Sequence, residues 1–263
     1  MDLSQIKMVV TDMDGTLLNS NHEVSNQFFE IFDELKKRNI KFVAASGRQY
    51  HSMVDKLKTI QDDIIFISEN GAYVKQMEKV LLTTPIDQTN VHTILSAISS
   101  VENAHPVLCS KDNAYVNGES SAFIEMLKEY YSEFEVVVDQ TKVEDDVLKV
   151  AIYHFDSSEK YIYPAVSHLE DQLKVKVSGS NWVDVSHQNA HKGFALEKLM
   201  QQYGIASNEI MVFGDYNNDL EMLQLSDYSF AMANAHPNVH KVAQYTTASN
   251  NEFGVEKVLE KLL

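Results

Sequence analysis

The chain has 263 residues, enough for one large domain or two moderate ones. Its formal net charge is −16 at pH 7 and no Lys/Arg-rich run interrupts it, which argues against nucleic acid or an anionic membrane as the main partner. Cys109 is the one cysteine, so no intrachain disulfide can form. With no basic-then-apolar leader and no apolar run of membrane-spanning length, the expected compartment is the reducing cytoplasm.

Met8-Val9-Val10 reads as a buried parallel strand. It breaks at its C-terminal end into Asp12-Met13-Asp14-Gly15-Thr16. Two carboxylates at the end of a core strand are costly unless they bind or react with something, although an ordinary strand-to-turn exit uses the same residue types. A polar loop over residues 19–23 leads to a helix, with Ser25 as N-cap, Phe28, Ile31, Phe32 and Leu35 at helical spacing, and Asn39 as the stop. Residues 40–45 form a second strand ending in Ser46-Gly47-Arg48, and a short helix follows over residues 49–57. A third strand, residues 64–67, ends in Ser68-Glu69-Asn70-Gly71-Ala72. Strand, polar tip and helix alternating in this way signal a parallel α/β sheet.

The texture changes near residues 83–87. A helix over residues 89–101 precedes strand-like segments at 106–110 and 114–116. Phe123, Met126, Leu127 and Tyr130 then give a helical stripe. Segments 134–138 and 147–155 read as strands, and a helix surrounds 161–169 despite Pro164. Residues 174–177 and 182–185 alternate with period two around Ser178-Gly179-Ser180-Asn181, the pattern of an antiparallel hairpin. The strand–helix rhythm returns at His191-Lys192-Gly193, with a helix ending near Gly204. Residues 209–213 form a strand tipped by Gly214-Asp215-Tyr216-Asn217-Asn218-Asp219. A helix at 220–225, a strand at 228–233, a helical segment at 237–242 and an amphipathic helix at 252–263 complete the chain. The fold class is therefore α/β: a doubly wound, Rossmann-like parallel sheet as core, from residues 1–83 and 188–263, with an inserted α+β domain over residues 84–187.

Four strand tips thus carry polar clusters, and their order has a counterpart. Asp12-Met13-Asp14-Gly15-Thr16 resembles the nucleophile motif of the haloacid-dehalogenase-like hydrolases, Ser46-Gly47-Arg48 their second motif, Lys192-Gly193 their third, and Gly214-Asp215-Tyr216-Asn217-Asn218-Asp219 their acidic fourth. The insertion between the second and third is similar to the α/β cap of the Cof-type (type IIB) sugar-phosphate phosphatases, and the resemblance runs over essentially the whole chain. Met13 stands where Leu or Ile is frequent in that family, but its backbone is the part that would matter.

The resemblance implies a Mg2+-dependent phosphatase of a small phosphorylated metabolite. It implies that Asp12 attacks phosphorus and ligates the metal. Asp14 would contribute its backbone carbonyl to the metal and its side chain as acid, then base. Asp215 would be the third protein ligand, and Asp219 a further one, either through water or by orienting Lys192. Met13, Ser46, Gly47, Lys192 and Asn218 would hold the substrate's phosphoryl group. Metal contact would keep Asp12 ionised while repulsion raises the pKa of Asp14. Each residue also has a plainer reading: Lys192 as a solvated lysine, Asp215 and Asp219 as helix-start charges, Ser46 as an N-cap, Arg48 as a salt bridge, Glu69 and Asn70 as caps, His191 as a surface histidine, Cys109 and Trp182 as packing in the insertion. Two rival functions remain open: a phosphotransferase or mutase sharing the aspartyl-phosphate step, and a non-catalytic phosphometabolite sensor. The insertion would set specificity and close over the site.

Overall fold

The computed structural model describes residues 3–111, 113–128, 131 and 134–263. The first segment holds β1 (Met8–Asp12), α1 (Asn26–Lys37), β2 (Lys41–Ala45), α2 (Tyr50–Lys56), β3 (Ile65–Ser68), β4 (Tyr73–Gln76) and β5 (Lys79–Thr83). The middle segment adds α3 (Gln88–Ile98), β6 (Ala104–Ser110), β7 (Ala114–Asn117), α4 (Ser121–Leu127), β8 (Glu135–Val137), β9 (Val147–His154), α5 (Ser158–Tyr161), α6 (Tyr163–Val166), β10 (Leu173–Val177) and β11 (Trp182–His187). The last segment contributes α7 (Lys192–Tyr203), β12 (Ile210–Gly214), α8 (Leu220–Leu223), β13 (Tyr228–Ala231), α9 (Pro237–Val242), β14 (Tyr245–Thr246) and α10 (Gly254–Leu259). The chain divides into two compact units, one of residues 1–82 with 191–263 and the other of residues 83–190. Among the described residues no helix is long and apolar enough to cross a membrane.

The first unit carries an eight-stranded sheet in the order β14-β13-β12-β1-β2-β3-β4-β5. From β14 to β3 every pairing is parallel. Alternation along the strands sends side chains to opposite faces. Val9, Phe42, Phe66 and Phe213 pack under α1 and α10, through Phe28, Ile31, Phe32, Leu35, Val255 and Leu259. Met8, Val10, Val43 and Ile210 pack on the other face against Leu196 and Leu199 of α7, Leu223 of α8 and Val239 of α9. Helices on both faces are what a doubly wound sheet requires, since both faces of its parallel strands are apolar. Ser25 caps α1, its hydroxyl accepting the Phe28 N–H at 3.0 Å. Asn39 follows that helix at a φ of 57°, and Gly204 ends α7 in the left-handed region at a φ of 62°.

The second unit is a six-stranded sheet, β10-β11-β9-β6-β7-β8. Its pairings are antiparallel except β7 with β8. The hairpin of β10 and β11 pairs Val175 with Val185. Val91, Ile94 and Ile98 of α3 cover one side, with Val166 and Leu169. Phe123 and Leu127 of α4 cover the other, where Cys109 is buried and Trp182 packs. The predicted stripe residue Tyr130 lies outside the described residues.

Two readings of secondary structure differ. The strands β4 and β5 were not expected, because the turn between them carries no Gly or Asn; Met77 itself takes a φ of 51° there. The single helix expected at 161–169 is broken into α5, α6 and a 3-10 turn at Ser167–Leu169. Pro164 has no N–H to continue the preceding turn, so the segment restarts around it.

Candidate active site

Parallel pairing brings the strand ends to one edge of the sheet. In register, Asp12 lies beside Ala45, Ala45 beside Ile67 and Thr11 beside Phe213. The segments that leave β1, β2 and β12 therefore start next to one another, at the carboxyl edge where ligands of open α/β sheets bind. Gly15 leaves β1 at a φ of 80°, and a Cβ on it would sit 2.2 Å from Asp215 Oδ2. Only glycine lets this backbone pass the Asp215 carboxylate. Thr16 donates its hydroxyl to Asp215 Oδ1 at 3.3 Å.

Lys192 opens α7 and is fully buried. Its Nζ donates to Asp12 Oδ1 at 2.5 Å and to Asp219 Oδ1 at 2.7 Å. Asp219 Oδ2 accepts the backbone N–H groups of Asp215 and Tyr216 at 2.9 and 3.0 Å. Both Asp219 oxygens are thus occupied by protein donors, and it is built into the loop as an anchor. Asp12 is different: its Oδ2 is buried and has no hydrogen-bond partner among the described residues. Carboxylate oxygens of Asp12, Asp215 and Asp219 lie within 4.8 Å of one another. An orphaned buried oxygen in a set of hard donors fits a small divalent cation. The Asp14 carboxylate is not in that set; it sits in a guanidinium fork, accepting from Arg48 Nε at 2.7 Å and Nη2 at 2.6 Å. His22 Nδ1 lies 3.4 Å from Asp14 Oδ1.

The protonation pattern follows from these surroundings. Burial, outweighing the opposing pull of Lys192, holds the Asp12 carboxyl well above the usual carboxylate range. Burial, then the Asp219 charge, pushes Asp215 up to about 6. Burial pulls Lys192 down, but Asp12 and Asp219 together raise it above its ordinary value. Burial alone would raise Asp14; Arg48, with help from His22, outweighs it and leaves Asp14 lowered. The expected rise at Asp14 is opposed by a partner 34 positions away in the chain, the Arg48 fork, which no local pattern around Asp14 announces; the expected ionisation of Asp12 depends on metal contact.

The other expected residues fall as follows. Ser46 is buried; its hydroxyl accepts the Arg48 N–H at 3.1 Å, and it does not cap α2, whose N-cap is Gln49. The Met13 side chain lies in the core, leaving its backbone at the turn. Asn218 Nδ2 donates to Asn70 Oδ1 at 3.0 Å. His191 caps α7, its Nδ1 accepting the Phe194 N–H at 3.1 Å. Asn234, which nothing in the sequence singles out for the site, donates to the Gly15 carbonyl at 2.8 Å.

A buried lysine between two carboxylates, next to an orphaned carboxylate oxygen, thus stands at the carboxyl edge of a parallel sheet, the place where an α/β enzyme of acidic site would bind its ligand. The chain belongs to the haloacid dehalogenase-like hydrolases: that family's model matches residues 9–259. It is an enzyme of that family, and the relatives it resembles over nearly their whole length are named phosphatases. It is similar to the Escherichia coli 5-amino-6-(5-phospho-D-ribitylamino)uracil phosphatase YbjI, with 30% identity over 261 residues, 98% of this chain and 96% of that protein. A crystal structure from Eubacterium rectale superposes with a TM-score of 0.92 at 27% identity, over 98% of this chain and 100% of that one. The subclass IIB sugar phosphatase BT4131 shares the fold, with a TM-score of 0.78 at 22% identity over 97% and 98% of the two chains.

Proposed function

We propose that this chain is a magnesium-dependent phosphatase of small phosphorylated metabolites, sugar phosphates among them, acting through an aspartyl-phosphate on Asp12. The observation that carries the reading is the asymmetry of Asp12: Lys192 fixes one oxygen at 2.5 Å, and the other is buried without a partner. A carboxylate oriented in this way suits attack on phosphorus. Asp12, Asp215 and the Asp14 backbone carbonyl would hold Mg2+, with Asp219 acting through water or through Lys192. When bound, the ion would offset the clustered carboxylate charge, favour ionised Asp12 and let a phosphate dianion approach.

In the first step an Asp12 oxygen attacks phosphorus and the bond from phosphorus to the leaving oxygen breaks. Asp14 delivers a proton to that oxygen. In the second step Asp14, now a carboxylate, takes a proton from the water that cleaves the acyl phosphate, releasing orthophosphate and restoring Asp12. Because Arg48 lowers the Asp14 pKa, this reading requires Asp14 to take up a proton as it leaves the guanidinium fork. Lys192, Ser46, Asn218 and the backbone at Met13 and Gly47 bind phosphoryl oxygens. Their number matters, because one transition-state donor contributes only about 3–4 kcal/mol to a reaction class accelerated by up to ~10²¹.

Every residue in this scheme belongs to the unit of residues 1–82 and 191–263. Substrate choice falls to the inserted unit, and the compartment is the cytoplasm, where such metabolites are. The compound for which YbjI is named carries its phosphate on a ribityl chain, and it is a first compound to try.

The test is a panel of phosphorylated metabolites, that compound included, assayed with magnesium on wild type and Asp12→Asn. Orthophosphate release by the wild type alone, stopped by chelation and restored by magnesium, is the expected result. Release undiminished after thorough chelation, or full turnover in Asp12→Asn, would overturn the reading.

A further inference from the structure

The tip that follows β3 has an unusual backbone. Glu69, Asn70 and Gly71 are three consecutive residues at positive φ, 49°, 54° and 102°. Glycine adopts this region freely and asparagine tolerates it, but for Glu it is costly, and a run of three persists only where its surroundings hold it. The surroundings here are the edges of the site. The Glu69 N–H donates to the Arg48 carbonyl at 2.9 Å, and the Asn70 N–H to the Ser46 carbonyl at 3.0 Å. The Asn70 side-chain carbonyl accepts from Asn218 Nδ2 at 3.0 Å. A Cβ on Gly47 would lie 3.1 Å from the same Asn70 amide. A Cβ on Gly71 would lie 2.4 Å from the His191 carbonyl oxygen and 3.0 Å from the Lys192 nitrogen. One strained tip therefore touches the segment after β2, the start of α7 and the loop after β12.

We propose that Asn70 is a positioning residue for the phosphoryl group. It ties Ser46–Gly47 to Asn218 through its main-chain N–H and its side-chain amide, so that donors from two separate strand ends keep one spacing. This rests on the phosphatase reading above. The αL backbone explains why the residue is asparagine: its short amide reaches Asn218 from a conformation that most L-residues avoid. Asn70 needs no contact with the phosphate to act; without it the two sides of the cradle move independently, and phosphate binding weakens more than chemistry does.

Asn70→Gly separates side chain from backbone, since glycine keeps the positive φ and loses the amide. The full-length wild type, Asn70→Gly, Asn218→Ala and the double variant are assayed with p-nitrophenyl phosphate and saturating magnesium. Orthophosphate serves as competitive inhibitor, its binding is measured by calorimetry, and thermal midpoints are recorded. Asn70→Gly should raise KM and weaken orthophosphate binding about tenfold, the worth of one lost hydrogen bond, with a smaller change in kcat. The double variant should be no worse than the more damaging single one, because both remove the same link. Asn70→Asp, of equal size, adds charge beside the cradle and should weaken orthophosphate further. Unchanged KM and orthophosphate affinity in Asn70→Gly and Asn70→Asp, whatever the thermal midpoints, overturn the inference, as do fully additive effects in the double variant. A wild type that neither hydrolyses phosphomonoesters nor binds orthophosphate would instead remove the phosphatase reading, and this inference with it.

Discussion

A buried lysine is the residue on which the site's electrostatics turn. Lys192 has no exposure, and it stands between Asp12 and Asp219 at 2.5 and 2.7 Å. Charges taken out of water persist only when paired, and removing one partner of a buried set leaves the others uncompensated. Lys192→Met keeps the volume and deletes the charge. It should lower unfolding free energy by about 3–5 kcal/mol at neutral pH, read from urea denaturation. A loss below about 1 kcal/mol would mean that the pair behaves as a solvated surface bridge. Alone in the sequence, Lys192 is indistinguishable from an exposed lysine at a helix start. Its burial follows from α7 packing on the inner face of the sheet through Ala195, Leu196 and Leu199. Arg48 and Asp14 teach the converse. The sequence left Arg48 as a salt bridge of unknown partner, and the partner is the residue proposed as acid and base.

At the scale of elements, the turn leaving β1 is the most constrained piece of the site. Gly15 combines a φ of 80° with a Cβ position 2.2 Å from Asp215 Oδ2. Gly15→Ala must therefore push aside either the turn or the Asp215 carboxylate. The expected outcome is a protein that folds, less stable by about 1 kcal/mol for the strained backbone, whose apparent magnesium affinity falls. Magnesium titration of both activity and calorimetric heat checks this; unaltered magnesium binding would show that the added methyl group is accommodated without displacing the Asp215 carboxylate from a cation site. The element boundaries legible in the sequence were those with chemical punctuation, such as Ser25 capping α1 and Gly204 ending α7. The unread hairpin of β4 and β5 turns through Met77 and Glu78, where side chains carry no turn signal and tertiary pairing with β3 decides the conformation.

For the whole molecule, the division of labour is the testable property. The candidate reactive groups all lie in the unit of residues 1–82 and 191–263. An exchange of residues 83–190 for the corresponding segment of a relative with another substrate should change the preferred phosphomonoester. Dependence on Asp12 and on magnesium should stay. Kinetic comparison across a metabolite panel reads the outcome, and a preference that stays with the first unit would refute the assignment of specificity to the insertion.

The sequence by itself determined the layering and the edge at which the candidate carboxylates gather. Apolar strand runs with helical stripes between them can be buried only on both faces of a parallel sheet, and carboxylates at strand ends must gather at its carboxyl edge. Only the tertiary structure decided the partners. Lys192 joins residues 180 and 27 positions away, Arg48 reaches back 34 positions to Asp14, and Asn70 meets Asn218 across 148. Such pairings leave no periodicity in the chain. They decide which carboxylate is desolvated and which is neutralised, because burial and opposing charge act through space and not along the sequence.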